Sequence, residues 1–236
     1  MREAVMSPGL FVARTAEPDR ARPLSVNSKP AAGWNPQTFA REQIRGLVRQ
    51  VFLSNVDGQV RHVVFSAIDP ETDVLNLCWR VGEALALETD QRIGLVGEYP
   101  QDLQVAGFFS AEKARQRSAD GTSPNTTRLG SNLWLVRPVA NEQNRANTTE
   151  LHAHLGAIRT RFEFSIMVGP CAAESTAASA MAQLADGIVL VLSAQRTRRI
   201  AARKVKEKLE AAQARLLGIV LSDRVFPIPE RIYRRL

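Results

Sequence analysis

The chain has 236 residues and is 44% hydrophobic, enough for a globular protein of one large domain or two small ones. No apolar run approaches the roughly 18 residues that span a bilayer, and the widely separated Cys78 and Cys171 support neither a disulfide framework nor a zinc site. The net charge of +7 is uneven: residues 196–236 carry twelve Lys/Arg and four Asp/Glu, a balance of +8, so the remainder sums to −1.

Residues 1–36 hold five of the twelve prolines and no apolar period, which predicts a disordered lead-in. The N-terminus lacks the apolar core of a secretory signal, so a cytoplasmic protein is expected. A first helix is predicted over "PQTFAREQIRGLVRQVFL", where Phe39, Ile44, Leu47, Val48 and Val51 share one face. Short apolar runs follow at 62–68, 92–98, 132–139, 164–170, 187–194 and 216–222. They are near-continuously apolar, as strands buried on both faces of a parallel sheet must be. Helical periods fit between most of them, at 74–89, 148–161, 174–185 and 197–213. Residues 100–131, rich in Ser, Thr and Asn, are expected to form a long loop. This alternation predicts an α/β fold over 37–222, a doubly wound, mainly parallel sheet with flanking helices, followed by a tail at 223–236.

The stretch "HVVFSAIDPETDVLNLC", residues 62–78, has the rhythm of a strand, a tight loop and a helix that would cradle a phosphate. Such a loop needs glycines so that backbone N–H groups converge, a lysine to neutralise the phosphate and a Ser/Thr to hold Mg²⁺. Asp69, Pro70, Glu71, Thr72 and Asp73 supply no glycine and no lysine. The three carboxylates read more simply as a solvated loop capping the next helix than as a cation site, because carboxylates favour that end of the helix dipole.

With "LADGIVLVLSAQRTRRIAARKVKEKLEAAQARLLGIVLS", "RFEFSIMVGPCA" and "QRIGLVGEYP", this stretch resembles the cytoplasmic domain of bacterial tyrosine kinases of capsule and exopolysaccharide synthesis. That family is related to division-site and partition ATPases, and the likeness covers most of residues 37–222. It implies a P-loop NTPase-like fold. Ser66, Ala67 and Glu71 match the family's phosphate loop, but Pro70 and Thr72 stand where glycines belong. Asp73 replaces the phosphate lysine and Val74 the Mg²⁺ hydroxyl. Gly97-Glu98-Tyr99 replaces an Asp-x-Asp motif, and Val168 holds the Walker B aspartate position. A charge pair near a surface is worth about 4 kcal/mol, so lysine to aspartate is a swing of up to about 8. A micromolar nucleotide is held by only about 8 kcal/mol in total. No lysine occurs between Lys29 and Lys113 to substitute.

The resemblance therefore implies a catalytically inactive tyrosine-kinase-like protein without a cofactor, acting as a binding or regulatory partner in exopolysaccharide or capsule biosynthesis or export. Its expected partner is the cytoplasmic part of a membrane polysaccharide co-polymerase or an active kinase paralogue, which would place it at the inner membrane. Two alternatives stay open: an active ATP-dependent kinase or ATPase with relocated site residues, and a partition-like nucleic-acid binder. The basic stretch "RTRRIAARKVKEKLEAAQAR" could bind nucleic acid or anionic lipid. Ile200, Val205, Leu209 and Ala212 recur at spacings that bury one face, so an ordinary surface helix is the preferred reading and nucleic acid is not the expected partner. In the family, Glu-x-x-Arg-x-x-Arg on the first helix mediates ring assembly. Glu42 and Arg45 match it, Val48 does not, and an arginine follows at Arg49. A weak homo-oligomer through this helix is expected, resting on apolar neighbours such as Phe39 or Phe52. Active members carry a tail with several tyrosines; here Tyr233 is the single candidate for phosphorylation.

Overall fold

The computed structural model describes residues 36–54, 59–98, 126–137 and 148–223. Helix α1 (Pro36–Val51) begins on a proline, whose fixed φ and missing N–H suit a first helical turn. It is followed by β1 (His62–Ala67), α2 (Val74–Glu88), β2 (Ile93–Val96), β3 (Thr126–Arg128) and β4 (Leu133–Val136). Then come α3 (Thr148–Arg161), β5 (Phe164–Val168), α4 (Ala177–Leu184), β6 (Gly187–Ser193), α5 (Arg199–Ala211) and β7 (Leu216–Ser222).

The strands form one 7-stranded sheet in the order β3-β4-β2-β5-β1-β6-β7. Every pairing is parallel except β3 with β4. All six residues of β1 and all seven of β6 are buried, the condition under which apolar runs replace alternation. Alternate residues of each strand still face opposite layers. Val63 and Phe65 pack with Leu47, Val48, Val81 and Leu85 of α1 and α2. Val64 and Met167 pack with Ile158, Ala182, Val205 and Leu209 of α3, α4 and α5. The result is a helix–sheet–helix sandwich.

Among the described residues, six of the seven strands and all five helices fall on the predicted segments, with described strand ends trimmed by up to three residues. The exception is β3, inside the segment expected as loop. Thr126–Arg128 pairs antiparallel with Val136–Trp134. Arg128 fixes the turn between them: its Nε donates to Gly130 O at 2.9 Å, its Nη2 to Ser131 O at 2.8 Å, and its guanidinium lies 5.4 Å from the Trp134 ring centroid. Phe52 also corrects an expectation. It is 2% exposed and meets Phe164 edge-on at 6.0 Å, so it belongs to the core and not to a contact between subunits. The expected disordered lead-in (except Pro36), the loop over 100–125 and the tail beyond Asp223 lie outside the described residues.

The amino-terminal edge of the sheet is tied by Asp186. Its Oδ2 accepts the backbone N–H groups of Arg61 and His62, each at 2.8 Å, and its Oδ1 accepts from Arg159 Nη2 at 2.8 Å. Burial works against this carboxylate, but those two N–H groups and the guanidinium outweigh it and hold its pKa below the usual value. Beside it, His62 Nδ1 lies 2.9 Å from Ser165 Oγ, and burial lowers the imidazole pKa despite Asp186. Gly187 follows at φ 157°. A Cβ there would lie 2.6 Å from both Arg215 O and Leu217 Cγ, so the β6–β7 approach requires glycine.

Candidate functional site

The loops after β1, β5 and β6 meet at the carboxyl edge of the sheet. β1 leads to α2 on one face, whereas β5 and β6 lead to α4 and α5 on the other, the divergence that opens a crevice in doubly wound folds. The phosphate-loop candidate, residues 69–73, lies in this crevice. It is pinned on both sides by the sheet's own connections. Ala172 N–H donates to Ala67 O at 2.8 Å, Ser66 Oγ donates to Pro170 O, and Ile68 N–H donates to Val191 O at 3.2 Å.

The loop turns its donors inward. Thr72 N–H donates to Asp69 O at 3.0 Å and Val74 N–H to Thr72 O at 2.8 Å. Pro70 has no N–H. Asp73 is the N-cap of α2: its Oδ1 accepts Asn76 N–H at 3.0 Å. A carboxylate is favoured there by the dipole and by the unpaired N–H groups of the first turn. Thr72 is buried under the loop, whereas Glu71 and Asp73 are exposed. The Val74 side chain is buried at the start of α2, packed in the core shared with α1.

Arg196, in the β6–α5 connection, reaches across this loop. Its Nη1 lies 2.5 Å from Glu71 Oε2, its Nη2 donates to Glu71 O at 3.2 Å, and Nη2 is 3.6 Å from Asp223 Oδ2 after β7. The next residue completes the link. Thr197 Oγ1 lies 3.4 Å from Asp69 Oδ2 and accepts Ser193 N–H at 2.9 Å. Asp69, Glu71 and Asp73 thus have three different partners and do not converge on a common point. Only Glu71 and Asp223 approach the Arg196 guanidinium, while Asp69 faces Thr197 and Asp73 caps α2.

The other candidates are spread along the same edge or far from it. Gly97 is buried past the end of β2, its N–H donating to Val136 O at 3.1 Å; Glu98 is exposed, and Tyr99 and Tyr233 lie outside the described residues. Val168 ends β5 half-buried and packs against the α1–α2 core. Cys171 Sγ lies 3.2 Å from Ile68 O, and Cys78 is fully buried, its thiol pKa pushed up by burial. Among the described residues, no three His, Cys, Asp or Glu side chains are grouped to hold a metal ion, and no helix is long and apolar enough to cross a membrane.

Glu42 and Arg45 lie on the opposite side of the sheet from α5, on α1. They pair with each other at 3.2 Å, and Arg45 and Arg49 both approach Glu88 of α2, at 3.7 and 3.1 Å. Val48, at the position where the ring motif has its second arginine, is 0% exposed. Arg196, Thr197, Asp223 and Glu88 were missed as site residues in the sequence. They join residues up to 128 positions away, and only the adjacency of β1 with β6 and of α1 with α2 brings them together.

No protein-family model and no curated protein sequence matches the chain. Solved structures do match. The kinase domain of the Escherichia coli tyrosine kinase ETK is 12% identical, with a TM-score of 0.63 over 89% of this chain and 89% of that one. The chimerical protein CapA2B2 is 18% identical, with a TM-score of 0.59 over 79% of this chain and 84% of that one. The VpsO kinase domain is 17% identical, with a TM-score of 0.57 over 80% of this chain and 98% of that one. At these identities the likeness is one of fold: an α/β domain with a mostly parallel sheet in a P-loop NTPase-like arrangement.

Proposed function

We propose that this chain is a catalytically silent tyrosine-kinase-like protein that acts as a binding or regulatory partner in exopolysaccharide or capsule biosynthesis or export. The observation that carries the reading is the Arg196–Glu71 pair lying across the loop where a kinase would hold its phosphates. A nucleotide would have to displace that guanidinium and then meet Asp69, Glu71, Asp73 and Asp223. Two loop N–H groups already serve Asp69 O and Thr72 O, and Asp73 caps α2. The kinase-domain fold and the sequence resemblance support the polysaccharide context. On this reading the partner is the cytoplasmic part of a membrane co-polymerase or an active kinase paralogue.

The site suggests one competing reading. Arg196 already reaches the loop, so it is a candidate for a relocated phosphate ligand in an active enzyme. Calorimetric titration of the full chain and of Arg196→Ala with Mg-ATP separates the two. The silent reading expects no heat of binding from either protein. A micromolar Kd in the parent that is lost in Arg196→Ala overturns it in favour of the relocated site. Affinity capture from the native host tests the partner, and recovery of neither a co-polymerase nor a kinase rejects that half.

A further inference from the structure

The amino-terminal half of α5 runs against the rule for helix starts. Its first turn has no acidic residue, and its N-cap, Arg198, makes no side-chain capping bond. Arg198, Arg199, Arg203 and Lys204 crowd the end of the helix where the dipole disfavours cations. Among the described residues, Arg198, Arg199 and Lys204 have no carboxylate partner, and Arg203 meets only the exposed Glu207, at 3.0 Å. In the middle of these cations stands Ile200, 70% exposed. Sequence spacing places it on the buried face with Val205 and Leu209, but it lies about 180° around the helix from Leu209, so it points out from the sheet. A large apolar side chain among cations, of which only Arg203 has a carboxylate partner, at a poorly capped helix start contributes little to this fold. Such departures from local preference mark surfaces kept for something else.

We propose that this face docks directly on an anionic phospholipid surface. Ile200 enters the headgroup–acyl boundary while Arg199, Arg203 and Lys204 meet headgroup phosphates. An apolar tip surrounded by cations matches both layers of such a surface. A nucleic-acid duplex would use the cations and leave Ile200 in water. The acids of α5, Glu207 and Glu210, come in its second half, where Glu210 is paired with Lys206 at 3.4 Å, so the cationic face is confined to the first two turns. Recruitment of this kind needs neither a nucleotide nor a protein partner and stands independently of the function proposed above.

Co-sedimentation of the full-length chain with vesicles tests it. Vesicles of phosphatidylcholine alone are compared with phosphatidylcholine mixed with phosphatidylglycerol. Binding is expected only to the mixed vesicles and is expected to weaken steeply with salt. Each cation near an anionic surface is worth roughly fivefold in affinity, so the triple variant Arg199→Gln, Arg203→Gln, Lys204→Gln should lose roughly a hundredfold. Ile200→Ser should lose roughly tenfold without changing the salt slope. If circular dichroism finds the triple variant misfolded, Ile200→Ser and the salt titration decide alone. Equal binding to neutral vesicles, no loss in Ile200→Ser, or displacement of the vesicles by double-stranded DNA overturns the proposal.

Discussion

Asp186 concentrates more hydrogen bonding than any other exposed-edge carboxylate described above, and replacing it tests whether the β1–β6 junction holds the sheet together. Asp186→Ala removes the acceptor for two backbone N–H groups at 2.8 Å and for Arg159 Nη2 at 2.8 Å. Hydrogen bonds to charged groups contribute about 1.5–3 kcal/mol each. The side chain of Asp186 is 22% exposed and that of Arg159 43%, so the low end applies to the backbone bonds and the ion pair adds little. The expected loss is about 3 kcal/mol, a large part of the 5–15 kcal/mol that stabilises a typical domain. Asp186→Asn keeps an oxygen for the N–H groups but loses the charge, and should forfeit about half as much. The folded pKa of Asp186 is lowered, so its contribution is full above the unfolded value of about 3.9 and fades as pH falls through the folded one. Urea denaturation followed by far-UV circular dichroism measures this. A loss below about 1 kcal/mol for Asp186→Ala at pH 7 would refute the reasoning, as would a difference from the parent that widens on acidification below that value.

Gly187→Ala should destabilise by about 1–3 kcal/mol, because its Cβ would lie 2.6 Å from the Arg215 carbonyl oxygen, whereas Gly46→Ala on the open face of α1 meets nothing within 4 Å and should stabilise slightly; thermal melts compare the two. Glu83 is 9% exposed on α2, and burial raises its carboxyl pKa above the usual value despite Trp79, Arg80 and Arg41. A raised folded pKa is favourable only at low pH, so Glu83→Gln should raise the urea midpoint at pH 7 and give no gain below about pH 4.3. Exchanging the charges of Glu42 and Arg45 brings a carboxylate toward Glu88, so it should loosen α1 from α2 by no more than about 1 kcal/mol. Light scattering on the same variant should find a monomer or dimer at micromolar concentration before and after; a stable octamer unaffected by the exchange defeats the expectation of a weak homo-oligomer.

The strands of the central sheet were legible because double burial leaves near-continuous apolar runs, broken only by single polar residues such as the buried His62, Ser66 and Ser165. "GIVLVLS" is buried at every position, and its helical neighbours announce themselves by a 3.6-residue period. β3 was not legible, since "TTR" is a half-buried edge strand of three residues with no apolar run, and its pairing depends on an arginine folded onto its own turn. The absence of glycine and lysine from residues 69–73 was readable in the sequence, whereas the contacts that hold the loop were not. Glu71 and Arg196 are 125 residues apart and meet only because β6 lies against β1, a fact of topology rather than of local pattern. The first helix follows the same logic. Glu42 and Arg45 were visible as an i,i+3 pair, whereas Glu88, which Arg45 and Arg49 share, needs the α1–α2 packing to be known.

Physical independence of the two parts explains how a kinase-like sheet can carry such a loop. Val63, Phe65, Ile166, Val189 and Val191 are buried in the core whatever stands at the carboxyl edge. Of residues 69–73 Thr72 is buried and Asp69 half-buried, so exchanges at Pro70, Glu71 and Asp73 remove no packed volume. A lysine aimed at a phosphate would sit at a helix N-terminus, where its charge opposes the dipole unless an anion is present. An aspartate at that position gains a capping bond of about 1 kcal/mol at once. An arginine on the neighbouring connection then offsets the surplus negative charge, as Arg196 does with Glu71 and Asp223. On the proposed silent reading, each of these residues favours the ligand-free loop and disfavours a bound triphosphate, so Asp73→Lys alone should weaken the cap of α2 without creating a site.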